Sequence, residues 1–263
     1  MNAACLLQAS GLTKRFGGLA AVSEVDLQLW MGRIHAVIGP NGAGKSTLTH
    51  LLSGDLPPSS GRVQLRGQEV TGWSPERISR QGLGRSFQKT NVFASFSVWE
   101  NIRLAAQSRE QPSPWHPGAW LRNAARMQRT HERAERALEL AGLAARRHQI
   151  AGAASHGEQR QLEIAMCLAT EPEVLLLDEP LAGMGTAEAE RMVGLLQQLK
   201  TEHAILLVEH DMDAVFALAD HLTVMVNGQI IASDRPEQVR QDRAVQAAYL
   251  GDELGPETQE VGA

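Results

Sequence analysis

Short apolar runs alternate with helical patterns along most of this chain. In the first ninety residues, apolar and polar positions partly alternate at 22–29 and 63–65, and 34–38 is a compact apolar run, as is typical of strands. From residue 157 the predicted order is helix 157–170, strand 174–178, helix 186–201, strand 204–209, helix 213–219, and strands 221–226 and 229–232 around an Asn227-Gly228 turn. This order predicts an α/β fold whose mainly parallel sheet ends in an antiparallel hairpin.

A helical insert separates these two parts. Residues 97–108 and 119–141 have the composition of helices, and Gly142 ends the second one. The stretch 111–118 between them contains three prolines, which restrict their own backbone and that of the preceding residues. A loop is therefore predicted between two helices. Beyond residue 236, short helices are expected before a mobile end.

Composition narrows the class of protein. The 263 residues carry 25 Lys and Arg against 30 Asp and Glu, a net charge of −5, which argues against a non-specific nucleic-acid binder. The two cysteines, Cys5 and Cys167, fit no disulfide framework or metal-ligand spacing, so a reducing cytosol is the expected setting. The apolar runs are far shorter than the roughly 20 residues of a spanning helix, and none is predicted.

A complete phosphate-binding motif follows the apolar run 34–38. The residues from Gly39 to Ser46 match G-x-x-x-x-G-K-[ST], and a helical stretch begins at Thr47. Glycines let backbone N–H groups face phosphates, and the helix N-terminus adds partial positive charge. Lys45 would neutralise the β- and γ-phosphates, and the Ser46 hydroxyl would bind Mg²⁺. The predicted nucleotide contacts are Gly39, Pro40, Asn41, Gly42, Ala43, Gly44, Lys45, Ser46 and Thr47.

A second motif is an apolar strand that ends in two carboxylates, Val174-Leu-Leu-Leu-Asp178-Glu179. Asp178 is predicted to hold Mg²⁺ through water. Glu179 is predicted to orient and deprotonate the attacking water as a general base. Alone, the pair fits solvated carboxylates at a strand end equally well, but the phosphate loop upstream favours the catalytic interpretation.

From about residue 6 to 250, the chain resembles the ATP-binding subunit of ATP-binding-cassette (ABC) transporters. The resemblance implies that Phe16 stacks on adenine, that Gln88 touches Mg²⁺ and senses the γ-phosphate, and that His210 is a switch histidine. Ser155-His-Gly-Glu-Gln159, before a helix starting near 160, resembles the signature motif. Ser155, Gly157 and Glu158 are therefore expected to contact a nucleotide held mainly by a second copy of the cassette.

The same resemblance implies a fold class and a domain division. The expected fold is a P-loop NTPase (RecA-like) α/β core with N-terminal antiparallel strands and a helical subdomain insert. Residues 1–263 would form one nucleotide-binding domain, with the core at 1–88 and 160–235, the helical subdomain at 89–159 and the tail at 236–263.

Several positions have other interpretations or depart from the common family pattern. Taken singly, Phe16 fits a core residue, Ser155 a helix N-cap and His210 a polar residue that closes a strand. In the signature segment, this chain has Ala154, His156 and Glu158 where the common pattern has Leu, Gly and Gln. After the second motif, it has Gly185 where the common pattern has Asp. The resemblance implies that the polar-amino-acid and urea branches tolerate His156 and Glu158, so both are interpreted as branch markers.

Within the family, segments such as Phe16–Val22, Val208–Met212 and Ala248–Gly251 resemble the ATP-binding component of high-affinity branched-chain amino-acid importers. A urea or short-chain amide importer and a lipopolysaccharide-type extractor remain alternatives. The resemblance implies ATP and Mg²⁺ as cofactors and a peripheral position on the cytoplasmic side of the cell membrane. The implied partners are a second, identical or homologous cassette, two transmembrane permease subunits and, indirectly, an external solute-binding protein.

Two pairs of aromatic residues lie in the insert. Phe93 and Phe96, just after Gln88, fit either an apolar seat for a permease helix or ordinary core. Trp115 and Trp120 lie near the prolines and are most simply expected to pack that loop onto a neighbouring helix.

Overall fold

Two β-sheets and a set of helices make up the molecule. The computed structural model describes residues 4–86, 91–109 and 123–247. Its strands are β1 (Cys5–Phe16), β2 (Leu19–Trp30), β3 (Ile34–Ile38), β4 (Ser60–Leu65), β5 (Gln68–Glu69), β6 (Leu83–Arg85), β7 (Val174–Asp178), β8 (Ala204–Val208), β9 (His221–Val226) and β10 (Gln229–Asp234). Its helices are α1 (Lys45–Ser53), α2 (Pro75–Arg80), α3 (Val98–Ser108), α4 (Asn123–Leu140), α5 (His156–Leu168), α6 (Thr186–Leu199), α7 (Met212–Leu218), α8 (Pro236–Gln241) and α9 (Arg243–Val245).

The larger sheet has six strands in the order β10-β9-β3-β8-β7-β6. The strands from β9 to β6 pair in parallel, and β10 pairs antiparallel with β9. Asn227 and Gly228 form the turn between β9 and β10 with φ values of 49° and 79°, a left-handed pair that suits a tight hairpin. The predicted parallel sheet with a terminal antiparallel hairpin is therefore confirmed.

The smaller sheet is antiparallel and lies near the N-terminus, with the order β2-β1-β4-β5. Its apolar side chains, among them Leu7, Val25 and Val63, form one cluster with side chains from β3, β7 and β8. Strands β3, β7 and β8 are buried along their whole length, as expected for strands covered on both faces. The fold class predicted from the resemblance is confirmed.

The helices α3, α4 and α5 pack on one another and on the other side of the large sheet. Helix α3 starts at a capping box in which Ser97 and Glu100 each bond the other's backbone N–H. The predicted helix 119–141 is described from Asn123, since 119–122 lie outside the described residues, and Gly142 follows its end with φ of 69°.

The structure corrects three details of the sequence interpretation. Helix α5 begins at His156, so the signature-like segment is its first turn and does not precede a helix starting near 160. Strand β8 ends at Val208, which leaves Glu209 in the following loop. The pattern also gave no sign of helix α2, which is six residues long and has only Ile78 buried.

Among the described residues, no helix is long and apolar enough to cross a membrane.

Candidate functional site

The phosphate loop and the segments that begin with Glu179 and Glu209 follow three strands of the large sheet. Strands β3, β8 and β7 are parallel, and Val37 and Asp178 both pair with Val208. The segments after these three strands therefore leave the sheet side by side. This edge, at the carboxyl ends of parallel strands, is where open α/β sheets bind ligands.

The phosphate loop between β3 and α1 is closely packed on backbone atoms. A Cβ added to Gly39 would lie 2.1 Å from the carbonyl oxygen of Met225, and one added to Gly44 would lie 2.3 Å from that of Ala21. Gly44 also has φ of 102°, which side chains strongly disfavour. Glycine is therefore required at both positions, and the loop has the backbone needed to cradle phosphates.

The Lys45 ammonium lies inside this loop. It donates hydrogen bonds to the carbonyl oxygens of Gly39 at 2.6 Å and Pro40 at 3.1 Å. Burial lowers the pKa of Lys45, while the charges of Glu179 and Asp178 raise it. A phosphate in the loop would compete with the two carbonyls for this cation, so Lys45 fits the predicted role.

The hairpin turn between β9 and β10 supports the phosphate loop, a contact that the sequence did not predict. The Gly228 N–H donates to the Ala43 carbonyl at 2.9 Å, and the Gly228 carbonyl accepts from Ser23 N–H at 2.8 Å. The turn thus links the phosphate loop to strand β2. The Asn-Gly pair predicted the turn, but only the fold places it against the loop.

Asp178 is the last residue of β7 and is 3% exposed. Its backbone N–H donates to the Ser86 hydroxyl at 3.2 Å, and its Oδ1 atom has no hydrogen-bond partner among the described residues. Burial raises the pKa of Asp178, although the nearby charge of Arg85 opposes this. An inward carboxylate oxygen without a partner fits a divalent cation or its bound water.

Arg85 is a further charged residue at this edge that sequence reasoning missed. Its guanidinium forms an ion pair with Asp55 and donates to the Ser53 hydroxyl at 2.7 Å. Burial lowers the pKa of Arg85, and Asp55 and Asp178 raise it. The Arg85–Asp55 pair therefore places a compensating positive charge beside the buried Asp178, which nothing in the local sequence indicated.

Glu179 directly follows β7 in a strained backbone conformation. Its φ is 49°, which is unfavourable for a residue with a side chain, and its N–H donates to the Val208 carbonyl at 2.8 Å. The geometry turns the chain sharply at the end of the strand. Strain of this kind is common at functional sites, but the general-base role of Glu179 stays a prediction.

Glu209, rather than His210 alone, organises the segment after β8. Its buried carboxylate accepts the backbone N–H of Leu181 at 2.9 Å and of His210 at 3.2 Å, and burial raises its pKa. The His210 ring is 62% exposed, with Nδ1 3.9 Å from Glu209. The histidine is therefore held by its backbone and leaves its ring accessible, as a switch role would require.

The signature-like segment forms the N-terminus of α5. Ser155 is the N-cap, and its hydroxyl accepts the Glu158 N–H at 3.3 Å while the Glu158 carboxylate accepts the Ser155 N–H at 3.0 Å. Glu158 also pairs with Arg146 at 2.6 Å. The carboxylate of Glu158 is thus bonded within its own chain. The Ser155 hydroxyl also bonds within this chain, because it donates a hydrogen bond to Glu188 at 2.9 Å.

The remaining predicted residues have varied outcomes. Phe16 is 49% exposed with Lys14 5.3 Å from its ring, so the core alternative for Phe16 is wrong. Phe93 and Phe96 are 54% and 40% exposed and stack on each other at 5.6 Å, so they are not core either. Gln88, Trp115, Trp120 and the segment 248–251 lie outside the described residues.

Comparison with known proteins identifies the class. Residues 22–182 match the family model described as ABC transporter, which is more than half of the chain. Residues 229–254 match a second model, described as branched-chain amino acid ATP-binding cassette transporter. The chain belongs to the ATP-binding cassette family of ABC transporters. It is an ATP-binding and ATP-hydrolysing transporter subunit.

Individual relatives narrow the branch. The chain is 39% identical over 251 residues to the high-affinity branched-chain amino acid transport ATP-binding protein BraF of Pseudomonas aeruginosa, covering 94% of this chain and 98% of BraF. The same values hold for the protein named LivG in Escherichia coli. Crystal structures of a nucleotide-free cassette and of an ADP conformation of a cassette, each 30% identical, superpose with TM-scores of 0.81 and 0.80 over 94% of this chain and 99% of theirs. The predicted resemblance is confirmed.

Proposed function

We propose that this chain supplies the ATP-driven step of an importer for branched-chain amino acids. The identity to BraF and LivG, over nearly the whole length of both, supports this substrate class. The match of residues 229–254 to the branched-chain model is independent of the common cassette motifs, because it lies after all of them. A urea or short-chain amide importer is the second candidate, carried by His156 and Glu158 in the signature segment.

The observation that carries the mechanism is the grouping of the phosphate loop, Asp178, Glu179 and His210 at one sheet edge. Loop amides and Lys45 would hold the phosphates of ATP, and the exposed Phe16 would stack on adenine. Glu179 would accept the proton of the attacking water, and His210 would hold the water or phosphate oxygen in line.

Magnesium is proposed as the second cofactor. The buried, unpartnered Oδ1 of Asp178 and the exposed Ser46 at the start of α1 offer the hard oxygen ligands that Mg²⁺ prefers. Gln88 would be a further ligand. Bound Mg²⁺ would neutralise charge that develops on the phosphate oxygens.

A second cassette is proposed to complete the site. The described side-chain contacts of Ser155 are with Glu158 and Glu188, not with the phosphate loop of the same chain. A hydroxyl at a helix N-terminus is suited to bind an anion, and a head-to-tail pair would offer it to the nucleotide of the other chain. If the pair is homomeric, light scattering of the Glu179→Gln protein should show pairing with ATP and not with ADP, and adding Ser155→Arg should prevent it. Pairing only with a co-purified second cassette would indicate a heterodimer.

Membrane partners are proposed to dock beside Gln88, the residue proposed to sense the γ-phosphate. The proposed division is into core (1–88 and 160–235), helical subdomain (89–159) and tail (236–263), and it would put Phe93 and Phe96 where the core meets the insert. Their exposed, stacked rings support an apolar seat for a permease helix on the cytoplasmic side of the membrane. Phe93→Ser should leave the melting temperature and ATP affinity near parent values while membrane association and transport fall.

The deciding experiment identifies the transported solute. The chain would be purified with its associated membrane subunits and solute-binding protein and reconstituted in vesicles. Leucine, isoleucine and valine uptake would be compared with uptake of urea and acetamide, with the Lys45→Ala protein as the control. ATP-dependent uptake of the amino acids supports the proposal. Uptake of urea or acetamide without uptake of the amino acids would contradict it. ATP-dependent extraction of lipopolysaccharide from the vesicles would instead support the third candidate, the lipopolysaccharide-type extractor.

A further inference from the structure

A carboxylate from helix α6 covers the start of helix α5. The Ser155 hydroxyl donates to Glu188 Oε1 at 2.9 Å. A Cβ added to Gly157 would lie 2.8 Å from Glu188 Cδ and 2.9 Å from Oε2, so the whole carboxyl group packs on the Gly157 backbone. The negative group therefore lies at the positive end of α5, where the helix dipole favours an anion.

Glu188 lies in the first turn of its own helix. It is the third residue of α6, the position from which a glutamate carboxylate usually accepts the backbone N–H of the N-cap residue. The N-cap of α6 is Gly185, whose missing side chain removes the other bond of a capping box but leaves its N–H. The Glu188 carboxylate accepts a hydrogen bond from the Ser155 hydroxyl of α5.

A bound phosphate would need the same groups. A serine hydroxyl has one hydrogen to donate, and in this structure Glu188 receives it. A phosphate at Ser155 would also meet the charge of Glu188 at short range. Glu188 and a phosphate from another chain therefore exclude each other at this position.

We propose that Glu188 is an internal stand-in for phosphate, which must leave Ser155 before this end of α5 can accept the nucleotide of a second cassette. The inference rests on the proposed pairing of two cassettes and adds a threshold to it. Arg191, one turn further along α6, lines the same small cavity as Glu188 and Gly157 and offers the released carboxylate a partner. Glu188 thus acts as a positioning residue that sets the ATP concentration at which two cassettes pair.

The test compares three proteins that carry Glu179→Gln to prevent turnover. One has no further change, one adds Glu188→Gln and one adds Glu190→Gln, which removes a charge from an exposed position of the same helix. Light scattering during an ATP titration with Mg²⁺ gives the ATP concentration at half-maximal pairing. Glu188→Gln should lower that concentration by about tenfold, the effect of one charge-assisted hydrogen bond, and Glu190→Gln should change it less than about twofold.

Each result has a defined meaning. Pairing of the Glu179→Gln protein with an unchanged or higher midpoint after Glu188→Gln would overturn this inference and leave the proposed function standing. Pairing that appears only after Glu188→Gln would support the inference strongly. If none of the three proteins pairs at any ATP concentration, either alone or mixed with the second cassette that co-purifies with it, the two-cassette mechanism and this inference both fall. Glu188→Ala, with melting temperature measured as a check of folding, should shift the midpoint in the same direction as Glu188→Gln.

Discussion

The phosphate loop and the start of helix α5 are two proposed anion sites of similar design, and they differ in the atoms that surround their glycines. Both place glycine and a hydroxyl residue at a helix N-terminus. A Cβ added to Gly39 or Gly44 would meet the backbone carbonyl of Met225 or Ala21, whereas one added to Gly157 would meet the side chain of Glu188. The first site is therefore bounded by backbone atoms, and the second by a side chain, which can change its rotamer without a backbone shift.

The largest expected effect concerns chemistry at the first site. Glu179→Gln should retain ATP binding and lower kcat by about a hundredfold or more, because it removes the proposed general base. Lys45→Ala should instead abolish ATP binding, because it removes the cation inside the loop. Equilibrium binding and steady-state hydrolysis measure both. Parent-rate hydrolysis by the Glu179→Gln protein would show that the base lies elsewhere.

The same substitution at the two sites should separate them. Gly44→Ala forces a Cβ to within 2.3 Å of a backbone oxygen at φ of 102°, and the left-handed backbone alone costs about 1–2 kcal/mol of unfolding free energy. Gly157→Ala displaces only the end of a side chain and gains about 0.5–1 kcal/mol of helix propensity. Urea unfolding of both proteins checks the comparison. Equal losses of stability would mean that Glu188 is as rigidly held as the loop.

A smaller effect is expected at the buried carboxylate of Asp178, the proposed Mg²⁺ ligand. Burial raises the pKa of Asp178, so at neutral pH the charged form weakens the folded state, and this cost disappears as pH falls through the raised pKa. Asp178→Asn should therefore raise the free energy of unfolding by about 1 kcal/mol at pH 7, with less gain in acid, while Mg²⁺-dependent hydrolysis is lost. A less stable Asp178→Asn protein would show that the surrounding positive charges outweigh the burial of the Asp178 carboxylate.

The sequence predicted those features that depend on neighbours along the chain. Local sequence patterns alone predicted three elements that the structure has. They are the strand 174–178, the Asn227-Gly228 turn and the phosphate loop. The roles of the individual site residues stay predictions. The resemblance supplied Phe16 and His210, whose isolated side chains carry no local signal.

The missed features depend on contacts between distant segments. Gly228 supports the phosphate loop from 185 positions away in the chain, since it bonds Ala43. Arg85 and Glu188 are of residue types that are usually found on protein surfaces. Only the fold brings Arg85 next to Asp55 and Glu188 next to Ser155. The structural propensity of a residue type contains no information about which distant residue it will contact. The sequence of one chain therefore could not reveal these three contacts.

The buried carboxylate of Glu209 has a consequence for local unfolding. It holds the backbone N–H groups of Leu181 and His210 at once, so it joins the segments that follow β7 and β8. Neither segment can detach without leaving a buried charge with one partner fewer, and the two should therefore open as one cooperative unit. Hydrogen exchange would report this as equal opening free energies for the amides of Leu181 and His210, and nucleotide that slows one should slow the other to the same extent.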